Sequence, residues 1–508
     1  MTVDGRRFVD PEGRTLTLHG VNIEDKNRAH NYQSWHGPED FARMRGWGFN
    51  CIRLIIIWDG VEPEPGQFDE AYLAEVDKRV QWAKDNGIYV LLDMHQDLFS
   101  AKLGADGAPA WACLDGGKAN VKMGTVWSNA YLTSEAVHTA FDNFWANAPG
   151  PDGVGIQDHF AAAWRHVAQR YADEPAVVGY DLFNEPFIGS GVYDGLMAML
   201  GAFAATLTEK QGAEAPEMGD LMQTFMDEAG RAQFYEYMND MDVFASAMAA
   251  GAEAFAEFER TKLADMYNRV CAAIREVDKN HILFIETSMF SNAAVPSGVV
   301  PIVGPDGERE PLQAFAPHGY DIVTDTPDVA NANPERVELI FKLHADTAAR
   351  LGMPTLVGEW GAYCGLPGTL PAARDVVRQF EKHLFSDTFW SYSNQNGVDK
   401  AEYLPVLARP YPAAVAGVLL RYESDLDTGA FTCAWQEDPA VTAPTRIYLS
   451  ELWYPNGAAV TVEPAGQGYV EEPVPGGEAS KYVIIAPTGQ AVERRVTVAR
   501  AGGAAESH

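Results

Sequence analysis

Hydrophobic and polar positions follow a regular order along the first 395 residues. Short apolar runs, typical of buried strands, are followed by longer stretches in which apolar residues recur every three or four positions, as in helices. The clearest helical stretches are residues 70–86, 157–171 and 336–352. The predicted strands are residues 17–21, 49–57, 88–94, 177–183, 282–287, 313–317, 355–358 and 388–392. Eight strands alternating with helices predict an α/β fold, a (β/α)8 TIM barrel over residues 1–405.

Residues 188–266 interrupt this order, because the segment after the fourth strand is far longer than a loop of such a barrel needs. It contains nine of the 15 methionines and several phenylalanines, and its pattern predicts a helical insertion. One interpretation is a helical hairpin that buries these side chains against itself. The other is an adaptable apolar surface beside the site, suited to lipid chains. The two interpretations are compatible.

The pattern changes again after residue 405. Short runs rich in β-branched and aromatic residues are separated by Pro and Gly turns, at residues 430–436, 445–452, 459–462, 481–486 and 492–498. Such a series predicts a C-terminal β-sandwich over residues 408–500. Residues 501–508 are predicted to be a disordered tail.

Two predicted barrel strands end in a carboxylate. Glu185 stands in Asn-Glu-Pro at 184–186, and Glu359 stands in Gly-Glu-Trp-Gly at 358–361. The carboxyl ends of barrel strands carry the active site in this fold, and a pair of carboxylates about 5 to 5.5 Å apart hydrolyses glycosidic bonds with retention of configuration. We therefore predict that Glu185 is the acid/base and Glu359 the nucleophile. The alternative for either residue alone is an ordinary glutamate paired with an arginine.

Arg53 lies inside the apolar strand 49–57, and a charged side chain in that position must be paired. We predict that its guanidinium holds Glu359 ionised and oriented through charge-assisted hydrogen bonds. The alternative is a structural ion pair elsewhere in the barrel.

Other polar and aromatic residues stand at the ends of the predicted strands. His95, Gln96 and Asp97 suit recognition of sugar hydroxyls, and Asn184 precedes the predicted acid. His318 and Tyr320 follow the sixth strand, where a tyrosine hydroxyl can hydrogen-bond the nucleophile, and Trp390 can stack under a sugar ring. No third ligand is found near His95 and Asp97 in the sequence, so we predict no metal. Each of these residues taken alone can equally be structural.

Composition excludes several classes of protein. The 508 residues are 47% hydrophobic, which excludes a disordered chain, and the net charge of −33 disfavours nucleic acid and anionic membranes as partners. The five cysteines are scattered, which argues against a zinc site and a disulfide scaffold but leaves one or two disulfides open. No apolar run is long enough to span a membrane, the best being residues 195–208.

These motifs together resemble family 5 of the retaining glycoside hydrolases and, more narrowly, the bacterial endoglycoceramidases. The supporting segments are Trp-Asp-Gly-Val-Glu-Pro at 58–63 and Asp-Met-His-Gln-Asp at 93–97, with residues 108–112, 140–145, 409–412 and 443–449. The resemblance covers nearly the whole chain. The insertion and the polar residues at 391–395 depart from the family pattern and concern the range of substrates.

The resemblance implies cleavage of the β-linkage between the glycan and the ceramide of glycosphingolipids, with release of an intact oligosaccharide. It implies that Lys26, Asp97, Asn184, Tyr320 and Trp390 contact the sugar next to the scissile bond. No cofactor is expected. The expected enzyme is a monomer that meets its substrate transiently at a membrane or micelle surface.

The opening residues contain no signal peptide, so the chain is either cytoplasmic or has lost such a segment; the resemblance favours secretion. Two other functions stay open. One is a family 5 β-glucosidase or endoglucanase acting on steryl or aryl glucosides or on β-glucans, although a Met- and Phe-rich insertion does not suit soluble glucans. The other is a glycolipid-binding protein without catalysis, which the presence of both carboxylates disfavours.

Overall fold

The computed structural model describes residues 1–121, 126–212, 224, 228–393, 397–466, 468–477 and 479–501. The predicted tail beyond residue 501, part of the Met- and Phe-rich segment around residues 213–227, and residues 394 and 395 lie outside this part of the chain.

The strands are β1 (Thr2–Asp4), β2 (Arg7–Val9), β3 (Thr15–Leu16), β4 (His19–Ile23), β5 (Cys51–Ile57), β6 (Tyr89–His95), β7 (Val177–Asp181), β8 (Ile282–Ile285), β9 (Gln313–Phe315), β10 (His318–Gly319), β11 (Leu356–Val357), β12 (Glu359–Trp360), β13 (Ser386–Phe389), β14 (Tyr411–Val415), β15 (Gly417–Asp425), β16 (Ala430–Glu437), β17 (Thr445–Leu449), β18 (Ala458–Glu463), β19 (Val470–Pro473), β20 (Lys481–Ile485) and β21 (Glu493–Arg500).

The α-helices are α1 (Pro38–Gly46), α2 (Trp58–Val61), α3 (Glu70–Asp85), α4 (Ala130–Thr133), α5 (Glu135–Trp145), α6 (Ile156–Tyr171), α7 (Val192–Gln211), α8 (Glu228–Met238), α9 (Met241–Phe258), α10 (Ala264–Arg275), α11 (Pro334–Leu351), α12 (Leu370–His383) and α13 (Leu404–Leu407).

Eight parallel strands form the barrel, as the sequence predicts. Their order is β11-β13-β4-β5-β6-β7-β8-β9, and a parallel bridge between Phe315 and Thr355 brings the two edges together. Every residue of β5 is buried, because one face of the strand points into the barrel and the other against the helices. At the carboxyl ends, the short strands β10 and β12 pair in parallel and place His318 directly opposite Glu359.

The insertion after β7 is helical, as predicted, and consists of α7, α8 and α9 in the described residues. Helix α9 continues through a π-helical turn, Glu259–Leu263, into α10. The side chains of Phe203, Phe244 and Phe255 are buried, so the hairpin does pack against itself. On the outer face of α7, however, Tyr193 and Met197 remain 47% and 53% exposed. The packed hairpin is therefore confirmed, and the suitability of the remaining exposed face for lipid chains stays a prediction.

Helix α7 contains the apolar run 195–208 and is longer than that run. Together with the turn before it, it extends over Gly189–Gln211, 23 residues, and by length and composition alone it is long enough to cross a membrane. Only 22% of its most apolar 18-residue stretch is buried. One face nevertheless packs on the neighbouring helices, where Gly195 lies against the ring of Phe255 and Phe203 contacts Phe234.

Two antiparallel sheets form the C-terminal sandwich, with the orders β1-β2-β3-β14-β17-β20-β19 and β15-β16-β21-β18. Trp435 and Val496 of one sheet and Tyr448 and Val483 of the other belong to a single buried core. Residues 2–16, which the sequence analysis assigned to the barrel, lie in the first of these sheets, where β3 pairs with β14. Strands of two or three residues carry too little pattern to reveal such a pairing.

All five cysteines are described and none forms a disulfide. Four of them are buried and Cys364 is exposed. The disulfides that the cysteine count left open are therefore absent.

Asp387 in β13 connects the barrel to the linker that enters the sandwich. Its Oδ1 accepts from Arg409 Nη2 at 2.7 Å and lies 2.9 Å from His19 Nδ1, while Oδ2 accepts from Trp360 Nε1 at 3.1 Å. Burial alone would raise the pKa of Asp387, but Arg409 and His19 outweigh burial and lower it. The carboxylate is thus ionised and holds three elements together.

We predict that Asp387→Asn lowers the free energy of unfolding by about 3 to 5 kcal/mol, because it leaves the Arg409 guanidinium buried without its counterion. Urea unfolding followed by circular dichroism measures this change. Glu493→Gln is the matched control, since Glu493 forms an exposed pair with Arg421 and should contribute less than about 1 kcal/mol. Equal losses in the two variants would contradict the prediction.

Candidate active site

The guanidinium of Arg53 stands at the centre of the carboxyl ends of the strands. It is fully buried and is surrounded by the side chains of five neighbouring strand ends. Its contacts are Nη1 to Glu359 Oε1 at 2.7 Å and Asn22 Oδ1 at 3.2 Å, Nε to Asp181 Oδ2 at 2.9 Å, and Nη2 to Asn184 Oδ1 at 2.9 Å, Glu286 Oε1 at 3.0 Å and Asp93 Oδ1 at 2.9 Å. Arg53 therefore contacts the predicted nucleophile and also forms structural pairs.

Glu359 is held by a donor on each oxygen. Arg53 donates to Oε1, and the hydroxyl of Tyr320 donates to Oε2 at 2.9 Å. Burial alone would raise the pKa of Glu359, but the positive charges of His318 and Arg53 outweigh burial and lower it. The carboxylate is therefore ionised near neutral pH and has a fixed orientation, as a nucleophile requires.

Glu185 lies at a sharp turn just after β7. Its φ of +43° is in the left-handed region that a non-glycine residue rarely adopts, and its N–H donates to Glu286 Oε2 at 2.8 Å, which stabilises the turn. The carboxyl group accepts hydrogen bonds from Asn292 Nδ2 at 2.9 Å and from His318 Nδ1 at 2.9 Å. Both contacts fall on Oε1, so Oε2 is the oxygen placed to exchange a proton with substrate.

The two predicted catalytic carboxylates are close neighbours. One oxygen of Glu185, one oxygen of Glu359 and a ring nitrogen of His318 all lie within 4.8 Å of one another. Retaining glycosidases keep their two carboxyl groups about 5 to 5.5 Å apart, whereas inverting enzymes need about 6.5 to 9.5 Å to admit a water molecule. The spacing supports retention.

The ring of His318 lies beside Glu185, Glu359 and a third carboxylate, that of Glu286. Its Nδ1 faces Glu185, and its Nε2 lies 3.2 Å from Glu286 Oε1. Burial would lower the pKa of His318, but the charges of Glu286 and Glu359 raise it well above its ordinary value. The ring is therefore cationic near neutral pH and lies between the carboxylates of Glu185 and Glu286.

On one side of the carboxylates lies a group of polar and aromatic residues suited to a sugar. Lys26 Nζ is 2.5 Å from Asp97 Oδ2 and 4.3 Å above the ring of Trp390. The ring of His95 lies parallel to that of Trp390 with centroids 5.4 Å apart. Burial alone would raise the pKa of Asp97, but Lys26 and His95 outweigh burial and lower it to about 2. This group therefore presents an ion pair beside an aromatic face.

Family models of known proteins match almost the entire chain. The model described as cellulase (glycosyl hydrolase family 5) matches residues 9–213 and 223–396, and the model of the glycoside hydrolase family 5 C-terminal domain matches residues 409–498. The chain belongs to glycoside hydrolase family 5.

Relatives of this family 5 glycosidase share both domains. Endoglycoceramidase I of Rhodococcus hoagii is 27% identical over 476 residues, which are 91% of this chain and 82% of the relative. An endoglycoceramidase of Hydra vulgaris is 30% identical over 505 residues, 90% of this chain and 82% of the relative. The solved complex of endo-glycoceramidase II from Rhodococcus sp. with ganglioside GM3 has a TM-score of 0.75 and 27% identity, covering 98% of this chain and 100% of that one.

Two details of this family 5 site differ from the sequence analysis. Gln96, expected at the sugar, donates its amide instead to the carbonyl groups of Asn184 at 2.9 Å and Glu185 at 3.2 Å, so it fixes the turn of the predicted acid. The expectation that His95 and Asp97 have no third potential ligand nearby is wrong, because Asp106 lies within 4.8 Å of both. Asp97 in that cluster is already paired with the ammonium group of Lys26.

Sequence reasoning missed Glu286 and Asn292. Glu286 follows the apolar strand Ile282–Ile285, which is the same signal that identified Glu185 and Glu359, and its carboxylate joins Arg53, His318 and the backbone of Glu185. Asn292 lies in a loop with no distinctive pattern, and only the folded structure brings it to Glu185.

We predict that Glu286→Gln moves the alkaline limb of the pH profile of kcat/KM to lower pH. The charge of Glu286 helps to raise the pKa of His318, so its loss lets the ring lose its proton at lower pH. The acid limb should not move to higher pH, because His318 stays protonated there. Hydrolysis of an aryl β-lactoside across the pH range measures both limbs.

Glu381→Gln is the matched control for this prediction. Glu381 on α12 is also a buried glutamate, but it accepts a hydrogen bond from Ser424 on β15, outside the catalytic cluster. An alkaline limb of Glu286→Gln at the wild-type position would contradict the role of Glu286.

Proposed function

We propose that this family 5 enzyme is a retaining endo-glycosidase that hydrolyses the bond between the glycan and the ceramide of glycosphingolipids. The observation that carries the proposal is the pair of carboxylates, an oxygen of each within 4.8 Å of the other, in a chain that matches endoglycoceramidases over both domains. The products are an intact oligosaccharide and ceramide.

In the first step, Glu359 attacks the anomeric carbon and Glu185 gives its proton to the ceramide oxygen. A glycosyl ester forms on Glu359, the glycosidic bond breaks and ceramide leaves as an alcohol. Arg53 and Tyr320 hold Glu359 in the attacking orientation. Because both contacts of Glu185 fall on Oε1, Oε2 carries the proton to the leaving oxygen.

In the second step, the ionised Glu185 takes a proton from water, whose oxygen attacks the anomeric carbon and releases Glu359. The configuration at that carbon is thereby retained. The His318 cation between the two glutamates stabilises whichever of them carries the negative charge at each stage.

We place the sugar next to the scissile bond on Trp390, with Lys26, Asp97 and His95 at its hydroxyl groups. The parallel His95 and Trp390 rings and the ammonium group of Lys26 support this placement. Asn184 directly precedes Glu185 and its oxygen is held by Arg53, which supports a contact with the hydroxyl adjacent to the anomeric carbon. The resemblance further favours an extracellular enzyme of lipid and carbohydrate metabolism.

The alternative is a β-glucosidase or endoglucanase of the same family with the same chemistry on sterol, aryl or glucan substrates. The match to endoglycoceramidases along almost the full length, including the C-terminal domain, favours the lipid substrate. The exposed apolar face of α7, just after the turn of Glu185, also favours a substrate with a lipid part.

We predict that wild-type enzyme converts a lactosyl-headed ganglioside into the intact oligosaccharide and ceramide, detected by mass spectrometry. Glu359→Gln should abolish turnover, and Glu185→Gln should reduce it by about 10² to 10⁴-fold because the ceramide oxygen needs a proton. Glu381→Gln is the control for folding.

Substantial turnover of a natural glycolipid by Glu359→Gln would overturn the assignment of the nucleophile. Release of single sugars, or cleavage of soluble glucan alone, would leave the chemistry intact and transfer the function to the alternative.

We also predict that the paired substitution Tyr193→Ser and Met197→Ser raises KM for glycolipid in micelles by about tenfold, because it removes apolar area exposed on α7. Hydrolysis of a soluble aryl β-lactoside should stay unchanged. The control is Glu209→Gln, a polar exchange near the exposed end of the same helix. A parallel loss on both substrates would instead indicate damage to the fold.

A further inference from the structure

A buried carboxylate outside the catalytic cluster closes a loop that reaches the predicted acid. Glu259 is fully buried at the start of the π-helical turn that joins α9 to α10, a type of turn often found at functional sites. Its Oε1 accepts from the N–H of Ser288 at 2.7 Å, and its Oε2 accepts from the N–H of Gly298 at 2.5 Å. The hydroxyl of Ser297 reaches both oxygens, at 3.0 and 2.9 Å.

One side chain therefore ties both ends of residues 288–298, here named the acid loop. Between the ties, the 3-10 turn Met289–Ala293 carries Asn292, whose Nδ2 donates to Glu185 Oε1 at 2.9 Å. The N–H of Met289 donates to the carbonyl of Pro186 at 3.1 Å. The acid loop thus contacts both the side chain of Glu185 and the residue that follows it.

The insertion contacts the same loop. Phe255 of α9 stacks on Phe290 with ring centroids 4.3 Å apart, one turn of helix before Glu259. The nucleophile receives its two donors from Arg53 and Tyr320. Tyr320 touches the acid loop through its backbone, because its N–H donates to the carbonyl of Asn292 at 3.0 Å, whereas Arg53 does not depend on the loop. Since Arg53 continues to hold Glu359, a disturbance of the acid loop should affect proton transfer more than nucleophilic attack.

We propose that Glu259 is a positioning residue for acid/base catalysis, acting through the acid loop and Asn292 on Glu185. By closing the loop it keeps the amide of Asn292 on Oε1 and leaves Oε2 to exchange the proton. The proposal rests on the assignment of Glu185 as the acid/base.

The test is the dependence of kcat/KM on the leaving group for Glu259→Gln, using aryl β-lactosides. In this variant an amide NH₂ group faces N–H donors, which opens the loop. A 2,4-dinitrophenolate departs without a proton, whereas 4-methylumbelliferone and more basic leaving groups need one. We expect kcat/KM to fall by about tenfold or more for the basic leaving groups and by less than about twofold for dinitrophenol.

Asn292→Ala should show the same dependence, and the double variant should be no worse than Glu259→Gln alone because both act through one path. Ser297→Ala removes a single hydroxyl and provides a smaller version of the effect if Glu259→Gln does not fold. The matched control is Glu310→Gln, a buried glutamate paired with Arg275 just before β9, at the opposite end of the barrel. Any decrease in kcat/KM of Glu310→Gln should be equal for every leaving group.

Equal losses for all leaving groups in Glu259→Gln, or a wild-type dependence in Asn292→Ala, would overturn the proposal. Aryl lactosides do not contain ceramide, so this test can be carried out even if the enzyme does not cleave glycolipids. That result would contradict only the assignment of the substrate. If Glu185→Gln itself showed no dependence on the leaving group, the acid/base assignment would fall, and this proposal with it.

Discussion

The active site depends on the burial of one positive charge. Arg53 is removed from water in the middle of a barrel strand, and four carboxylates surround its guanidinium within 3.0 Å: Asp93, Asp181, Glu286 and Glu359. A buried cation is expensive unless its hydrogen-bonding groups are satisfied, so the neighbouring strands must place these side chains together or the barrel cannot close in this form. The same requirement that completes the core therefore orients the nucleophile.

Carboxylates outnumber cations in the cluster around Arg53, and their pKa values are shifted in different directions. Burial and the neighbouring charge of Glu286 raise the pKa of Asp181 well above its usual range, even though Arg53 opposes this. The pKa of Glu359 is lowered because His318 and Arg53 both face it. Carboxyl groups that contact the same guanidinium thus have pKa values shifted in opposite directions by their different surroundings.

The sequence revealed the features that depend on local pattern. Apolar strands alternating with helices predicted the barrel. Carboxylates at the ends of two of these strands identified Glu185 and Glu359, and a lone charge within an apolar strand predicted the pairing of Arg53. Glu286 carried the same signal and was overlooked. Asn292 and Asp106 could not be found in this way, because they reach the site through irregular loops whose paths depend on tertiary contacts.

Strand β3 pairs with β14, a strand synthesised about 400 residues later. During translation the barrel can assemble from consecutive units, but the edge of β3 that pairs with β14 has no partner until the C-terminal domain has emerged. Only then can the first and last parts of the polypeptide pair in one sheet. A fragment that ends after the barrel would expose this strand edge, so the C-terminal domain protects the chain against aggregation through it.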